Sequence, residues 1–313
     1  MRNGEAFLRA LDRKAKVFAP GARATFEANL EVCSWLLDPL ARWAEIAFGP
    51  EVFDVAAHGY AEYCVAVAKA KRAYEKEGRY APECIPQIVA QVYDREDYMV
   101  PYMWAAILIY PFWPSMVHHI RLFRDEFVRR LPENAAVLEI ASGHGVLSLL
   151  AAEERPDLCL EGVDISPPAV EVANRLLTAS GHTCRVRFRV EDALNLNGCA
   201  VHKRFQGIIS AMLAEHLSNP LPLFALISDR ISVDGQAFFS TALESPQRDH
   251  VFEFKQESEP LLMAEAAGLR VSRLLSDASP IPEGSRFVPR ATAMILRSHR
   301  SVHRGPAQRD SPA

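Results

Sequence analysis

Residues 137 to 145 read Val137-Leu-Glu-Ile-Ala-Ser-Gly-His-Gly145. An apolar strand carries one acid, Glu139, near its carboxyl end and runs into a turn almost free of side chains before a helix begins. In a strand–turn–helix unit of an open α/β sheet, such a turn lets a nucleotide-like cofactor approach the backbone closely. A second strand, Leu160-Glu-Gly-Val-Asp164, also ends in an acid, at a spacing suited to ribose hydroxyls.

Working outward, apolar runs predict strands over 135–141, 158–164, 184–190, 205–211 and 235–242. They alternate with helices near 145–155, 167–180, 221–232 and 257–267. That alternation specifies a parallel sheet with helices on both faces. Two closing runs, Leu269–Leu275 and Arg290–Leu296, are expected to form an antiparallel hairpin at one edge. Upstream the chain reads as entirely helical, with helices over 25–48, 53–77 and 116–131. The expected organisation is a helical cap over 1–130, a cofactor-binding α/β domain over 131–297, and a disordered tail over 298–313.

Bulk properties narrow the field. Apolar residues make up 49% of the 313, and the formal charge of −4 gives no reason to expect nucleic-acid affinity. The six cysteines (Cys33, Cys64, Cys84, Cys159, Cys184, Cys199) show no metal-ligand spacing, so no metal is expected and the thiols read as buried or reduced, in a cytoplasmic protein. Arg2, Glu5, Arg9, Asp12 and Arg13 interrupt any secretion-signal run. Tyr98 to Val117 is free of charge over the length of a membrane span, but Pro101, Pro111 and Pro114 break it, so it reads as a buried helix pair and not as membrane.

The motifs resemble those of the class I S-adenosylmethionine (SAM) dependent methyltransferases. Glu139, Ala141, Gly143 and Gly145 match the first motif, acid-x-Gly/Ala-x-Gly-x-Gly. Asp164 in Gly-Val-Asp-Ile-Ser-Pro matches the second acid, and Asp192 in Val-Glu-Asp-Ala-Leu the third. Met212-Leu-Ala-Glu-His-Leu-Ser-Asn-Pro220 resembles a wording found after strand four of several small-molecule methyltransferases, with one extra residue before Glu215. The resemblance covers roughly 131–297 and implies a Rossmann-like α/β sheet under an all-helical cap, with SAM as cofactor. Glu139 would hold the amino-acid end, with Ala141, Gly143 and Gly145 lining it. Asp164 would take the ribose, Asp192 and Ala193 the adenine, and Ile165 and Met212 would be further cofactor contacts. A nicotinamide or flavin Rossmann domain fits less well, because Glu139 and Asp192 would have no required task there.

A cofactor domain of this kind says nothing of the acceptor, so specificity must come from the cap. Its aromatics Tyr93, Tyr98, Tyr102, Trp104, Tyr110, Phe112 and Trp113 suit either core packing or ring faces for a sulfonium. Tyr98 and Tyr102, one helical turn apart, are the expected ligand contacts, and His216 is either a general base or part of the cofactor wall. The expected function is methyl transfer to a small molecule of specialised metabolism. A weaker resemblance, to SAM-cyclising azetidine-2-carboxylate synthases of the same fold, makes SAM itself the substrate. A SAM-binding module without chemistry is the third reading. No nucleic acid or membrane partner is expected.

Overall fold

The computed structural model describes residues 4–80, 85–195, 203–276 and 283–299. Among the described residues the cap holds seven α-helices: α1 (Glu5–Lys14), α2 (Ala19–Ala28), α3 (Leu30–Phe48), α4 (Val52–Glu77), the single turn α5 (Ile85–Ile88), α6 (Glu96–Phe112) and α7 (Pro114–Leu122). The expected helix over 25–48 is split at Asn29, whose backbone leaves the helical region and whose amide donates to the Thr25 carbonyl at 3.1 Å. Such a side chain competes for the bonds a continuous helix would use. Over 116–131, α7 gives way at Phe123 to a π-helical turn and then a 3-10 turn, with Phe123 and Phe127 stacked 5.6 Å apart. Pro101 and Pro111 stay inside α6, and the chain turns at Trp113 instead, because Pro114 forces its predecessor into extended backbone.

Beyond the cap, β1 (Ala136–Ile140), α8 (Val146–Glu154), β2 (Cys159–Asp164), α9 (Pro167–Ser180), β3 (Val186–Val190), β4 (Phe205–Ala211), α10 (Leu221–Arg230), β5 (Ile231–Leu243), α11 (Ser258–Ala266), β6 (Leu269–Ser276) and β7 (Arg290–Ser298) follow in turn. The seven strands pair in the order β3-β2-β1-β4-β5-β7-β6, and β7 alone runs antiparallel to its neighbours. The first five strands are parallel, and the central β1 and β4 are almost wholly buried, as a sheet covered on both faces requires, whereas the edge strand β3, Val-Arg-Phe-Arg-Val, alternates. β5 begins four residues earlier than the hydrophobic run suggests, since Ile231 pairs with Phe205 ahead of a bulge.

Three expectations change. Ser298 closes β7, and the His299 amide donates to the Gly268 carbonyl, so the ordered chain continues past 297; residues 300–313 lie outside those described. Cys184 precedes β3 and is exposed, as is Cys159, whereas Cys33 is buried; Cys84 and Cys199 lie outside the described residues. The hydrophobic core also ignores the boundary at 130. Trp104, Phe112 and Phe123 of the cap share one cluster with Leu149, Leu176, Ile209 and Phe238. Each such side chain stabilises by roughly 1.5–3 kcal/mol, so cap and sheet support one another. Gly59 lets α4 and α6 meet: a methyl group there would stand 2.4 Å from the Pro101 carbonyl oxygen.

Candidate functional site

Parallel strands leave a crevice beyond their carboxyl ends, and here the cap roofs it. The result is a cavity of about 270 Å³. Met99, Tyr102, Met103, Ala106, Ile109 and Tyr110 face it from α6, a helical stripe drawn from the uncharged run. The opposite side of α6, with Trp104, Ile107 and Leu108, is buried in the core.

The floor is set by the strand ends. Glu139 on β1 is buried, and its Oε2 accepts from the Ser148 hydroxyl at 2.5 Å and the Ser148 amide at 3.2 Å, in the first turn of α8. Burial pushes its carboxyl up to about 8, against the pull of those two bonds. Asp164 at the end of β2 accepts from the Gly143 amide at 2.7 Å and the Ser166 amide at 2.8 Å. Its carboxyl too is raised by burial. Asp164 therefore fixes the glycine turn of the neighbouring strand, a task beyond any ligand contact. Asp192 is exposed on the rim and accepts from the Leu194 amide at 2.9 Å, closing the turn after β3.

Ala141 and Met212 both carry φ of +53°, at the ends of the adjacent strands β1 and β4, and both line the cavity. A non-glycine residue held there costs on the order of 1 kcal/mol and persists where its surroundings over-determine it. Ile165, Ala193 and Gly143 also line the cavity. Gly145 does not. Its φ is +66°, and a side chain there would stand 2.4 Å from the Phe188 ring, so its smallness serves the packing of β3 and not a ligand.

The candidate catalytic residues part company. Tyr98 is 37% exposed, stacks on Tyr102 at 6.1 Å and lies outside the lining. Tyr102 faces inward and donates its hydroxyl to Asp249 Oδ2 at 3.2 Å. Burial holds the Tyr102 and Tyr93 phenols well above their ordinary value, so both remain protonated. His216, in the turn after β4, has Nδ1 at 3.0 Å from the Asp249 carbonyl oxygen and 3.1 Å from Tyr93 Oη. A carbonyl only accepts, so Nδ1 is the donor in that contact, and Asp249 Oδ2 lies 3.5 Å from the same nitrogen.

Around these stand residues that the sequence did not single out as site residues. Glu215 is buried and accepts from Thr241 Oγ1 at 2.8 Å. His250 is buried, its Nδ1 lies 2.6 Å from the Ser245 carbonyl, and burial lowers its basicity. Tyr63 reaches the cavity from α4. Ser166 caps α9 and donates Oγ–H to the Tyr93 carbonyl at 2.6 Å, tying the roof to the β2–α9 turn. Only Glu215, Tyr93 and Tyr110 carried a sequence signal, from the motif after β4 and the aromatic run.

The lining has a single charge character. Glu139, Asp164, Glu191, Asp192 and Glu215 all border the cavity, with no Lys or Arg among the described lining residues. A family model described as a methyltransferase domain matches residues 114–270. The chain belongs to the class I SAM-dependent methyltransferases. SAM is its cofactor, and the cavity suits it: the acidic lining accepts a sulfonium and an ammonium, and Gly143 leaves the β1 turn open to a ligand.

Two curated methyltransferases resemble parts of the chain. A release factor glutamine methyltransferase of Neisseria gonorrhoeae is 41% identical over 64 residues, covering 20% of this chain and 23% of its own. A tRNA1(Val) (adenine(37)-N6)-methyltransferase of Porphyromonas gingivalis is 27% identical over 171 residues, covering 53% and 54% respectively. This methyltransferase chain thus spans about a quarter and about half the length of these relatives. Among solved structures, a TehB-like SAM-dependent methyltransferase from Corynebacterium glutamicum superposes with a TM-score of 0.47 at 16% identity, over 65% of this chain and 100% of that one.

Proposed function

We propose that this protein transfers a methyl group from SAM to a small neutral or cationic acceptor of specialised metabolism, in the cytoplasm. The observation that carries the reading is the cavity itself. Its volume falls just below the roughly 300–1,000 Å³ usual for ligand pockets, α6 roofs it, and five acidic side chains border it with no Lys or Arg among the described lining residues. A phosphate-rich or polyanionic acceptor would meet uncompensated repulsion there, which argues against nucleic acid. Among the described residues, no helix is long and apolar enough to cross a membrane.

SAM supplies the methyl group already activated on its sulfonium, so the protein's share is binding, alignment and exclusion of water. In this reading Glu139, Ala141 and Gly143 hold the amino-acid end, Asp164 the ribose, and Asp192 and Ala193 the adenine, with Ile165 and Met212 as further cofactor contacts. Residues 1–130 act as the lid, and Tyr102 and the ring edges of Tyr93 and Tyr110 close the chamber. The Nε2 lone pair of His216 takes the acceptor's proton.

A second reading, cyclisation of SAM to azetidine-2-carboxylate with release of methylthioadenosine, draws support from the same small volume, which leaves little space beyond the cofactor. Incubating the pure protein with SAM alone separates the two. Methyl transfer requires that SAM stay intact until an acceptor is added and S-adenosylhomocysteine then form. Methylthioadenosine appearing without an acceptor would replace the first reading with the second.

A further inference from the structure

We propose that Glu215, His216 and His250 form a binding site for a divalent first-row transition-metal ion in the wall of the cavity. A carboxylate oxygen and one ring nitrogen from each histidine lie within 4.8 Å of one another. All three residues border the cavity, and Glu215 and His250 are 1% and 2% exposed. A shell with bonds of about 2.0–2.1 Å places ligand atoms roughly 3.3 Å apart, so side-chain rotation of an ångström or so closes the set.

Two further features make this more than proximity. Each imidazole spends its Nδ1 on a backbone carbonyl, His216 on Asp249 at 3.0 Å and His250 on Ser245 at 2.6 Å. That arrangement fixes the tautomer, leaves Nε2 with its lone pair when the ring is neutral, and is the outer-shell support that ligating histidines ordinarily have. Glu215 is oriented in turn by the Thr241 hydroxyl at 2.8 Å and the Ala242 amide at 3.3 Å. The loop carrying His250 is also pinned to the Glu215 turn, because the Val251 and Phe252 amides donate to the Glu215 carbonyl at 2.8 and 3.0 Å. Donors from two loops are thus held together before any ion arrives.

Two nitrogens and one oxygen, with the cavity open on the fourth side, suit Zn²⁺, Co²⁺, Mn²⁺ or Fe²⁺ better than Mg²⁺ or Ca²⁺, which favour all-oxygen shells. The acidic lining, lacking Lys and Arg among the described residues, adds no repulsion to a dication. The Nε2 lone pair of His216 serves either an ion or the acceptor's proton, so metal occupancy and base catalysis exclude each other at that atom.

The test uses the full chain, stripped with a chelator, desalted and titrated with Co²⁺ alone. The proposal expects a visible ligand-field band that saturates at one ion per chain, is displaced by Zn²⁺, and is lost in Glu215→Gln and His250→Ala. Circular dichroism and thermal melts on the same preparations report whether each variant keeps its fold. Should a variant fail to fold, Co²⁺ added to wild type must still shift or broaden the ring-proton resonances of His216 and His250 ahead of the other histidines. Absence of a band at equimolar Co²⁺, an undiminished band in both folded variants, or unaffected His216 and His250 resonances overturns the site.

Discussion

Tyr102 on α6 donates its hydroxyl to Asp249 Oδ2 at 3.2 Å, joining residues 147 positions apart. The same Asp249 presents its carbonyl to His216 Nδ1 at 3.0 Å. One residue of the loop after β5 therefore ties the roof of the cavity to the imidazole on its wall. Tyr93 adds a second tie from the roof to that imidazole, at 3.1 Å.

That relationship separates the two tyrosines. Tyr102→Phe removes the hydroxyl that holds Asp249, and through it the His216 ring. We expect turnover to fall about tenfold, a barrier change of roughly 1.4 kcal/mol, with SAM affinity within about twofold of wild type. Tyr98→Phe, outside the cavity, is expected to change neither. Steady-state kinetics and calorimetry on both variants check this, and equal effects at the two positions would refute the separation.

Gly143 and Gly145 should fail in different ways. A leucine at Gly143 projects toward Met103 and the cavity from a backbone with φ of +49°, so SAM affinity should drop at least about tenfold while the protein still folds. Alanine at Gly145 meets the Phe188 ring at 2.4 Å and should lower Tm, at a cost of roughly 1–3 kcal/mol from overpacking. Phe188→Leu in the same chain should recover part of that loss. Thermal melts with and without SAM distinguish the two outcomes.

Acid should destabilise the fold through His144. This buried ring takes the Val146 amide on Nδ1 at 3.0 Å, and burial lowers its basicity from the usual 6.5 to about 3. Between those values the unfolded chain binds a proton that the folded chain refuses, so stability is intact above about pH 6.5 and lost as pH falls toward 3. The total is on the order of a few kcal/mol. His144→Asn keeps an acceptor for the amide without titrating, and should flatten the decline of denaturant midpoints from pH 6.5 to 4.

The roof should be looser than the rest of the cap. Ile88, Val92, Met99 and Met103 form a small buried cluster of their own, joined from the α/β domain by Ala169. The remaining cap helices share the large core. Few long-range apolar contacts mean a low local opening free energy. Hydrogen exchange over residues 85–103 should therefore outpace that of α3, and saturating SAM should slow it. Equal protection in both segments without SAM would show that the roof is as firmly held as the core.

The α/β order, the acids at the ends of β1 and β2 and the small-residue turn after Val137-Leu-Glu-Ile140 were legible in the chain because they are local. Strand periodicity, a turn that tolerates no bulk and an acid at a strand end each act over a few residues. The helical cap was legible for the same reason, though its breaks at Asn29 and Phe123 depend on side-chain competition and ring packing. What lines the cavity was decided by tertiary structure. Tyr98 and Tyr102 share a helical spacing, yet the packing of α6 turns one inward and leaves the other at the surface. Gly143 and Gly145 belong to one motif, yet Phe188 from β3 makes the second a packing residue. Asp249 and His250 carry no signal of their own; β5 and the pairing of Val251 and Phe252 with Glu215 carry them to His216. Such residues meet because strands and helices pack in three dimensions, and a pattern read along the chain records only the contacts that lie along it.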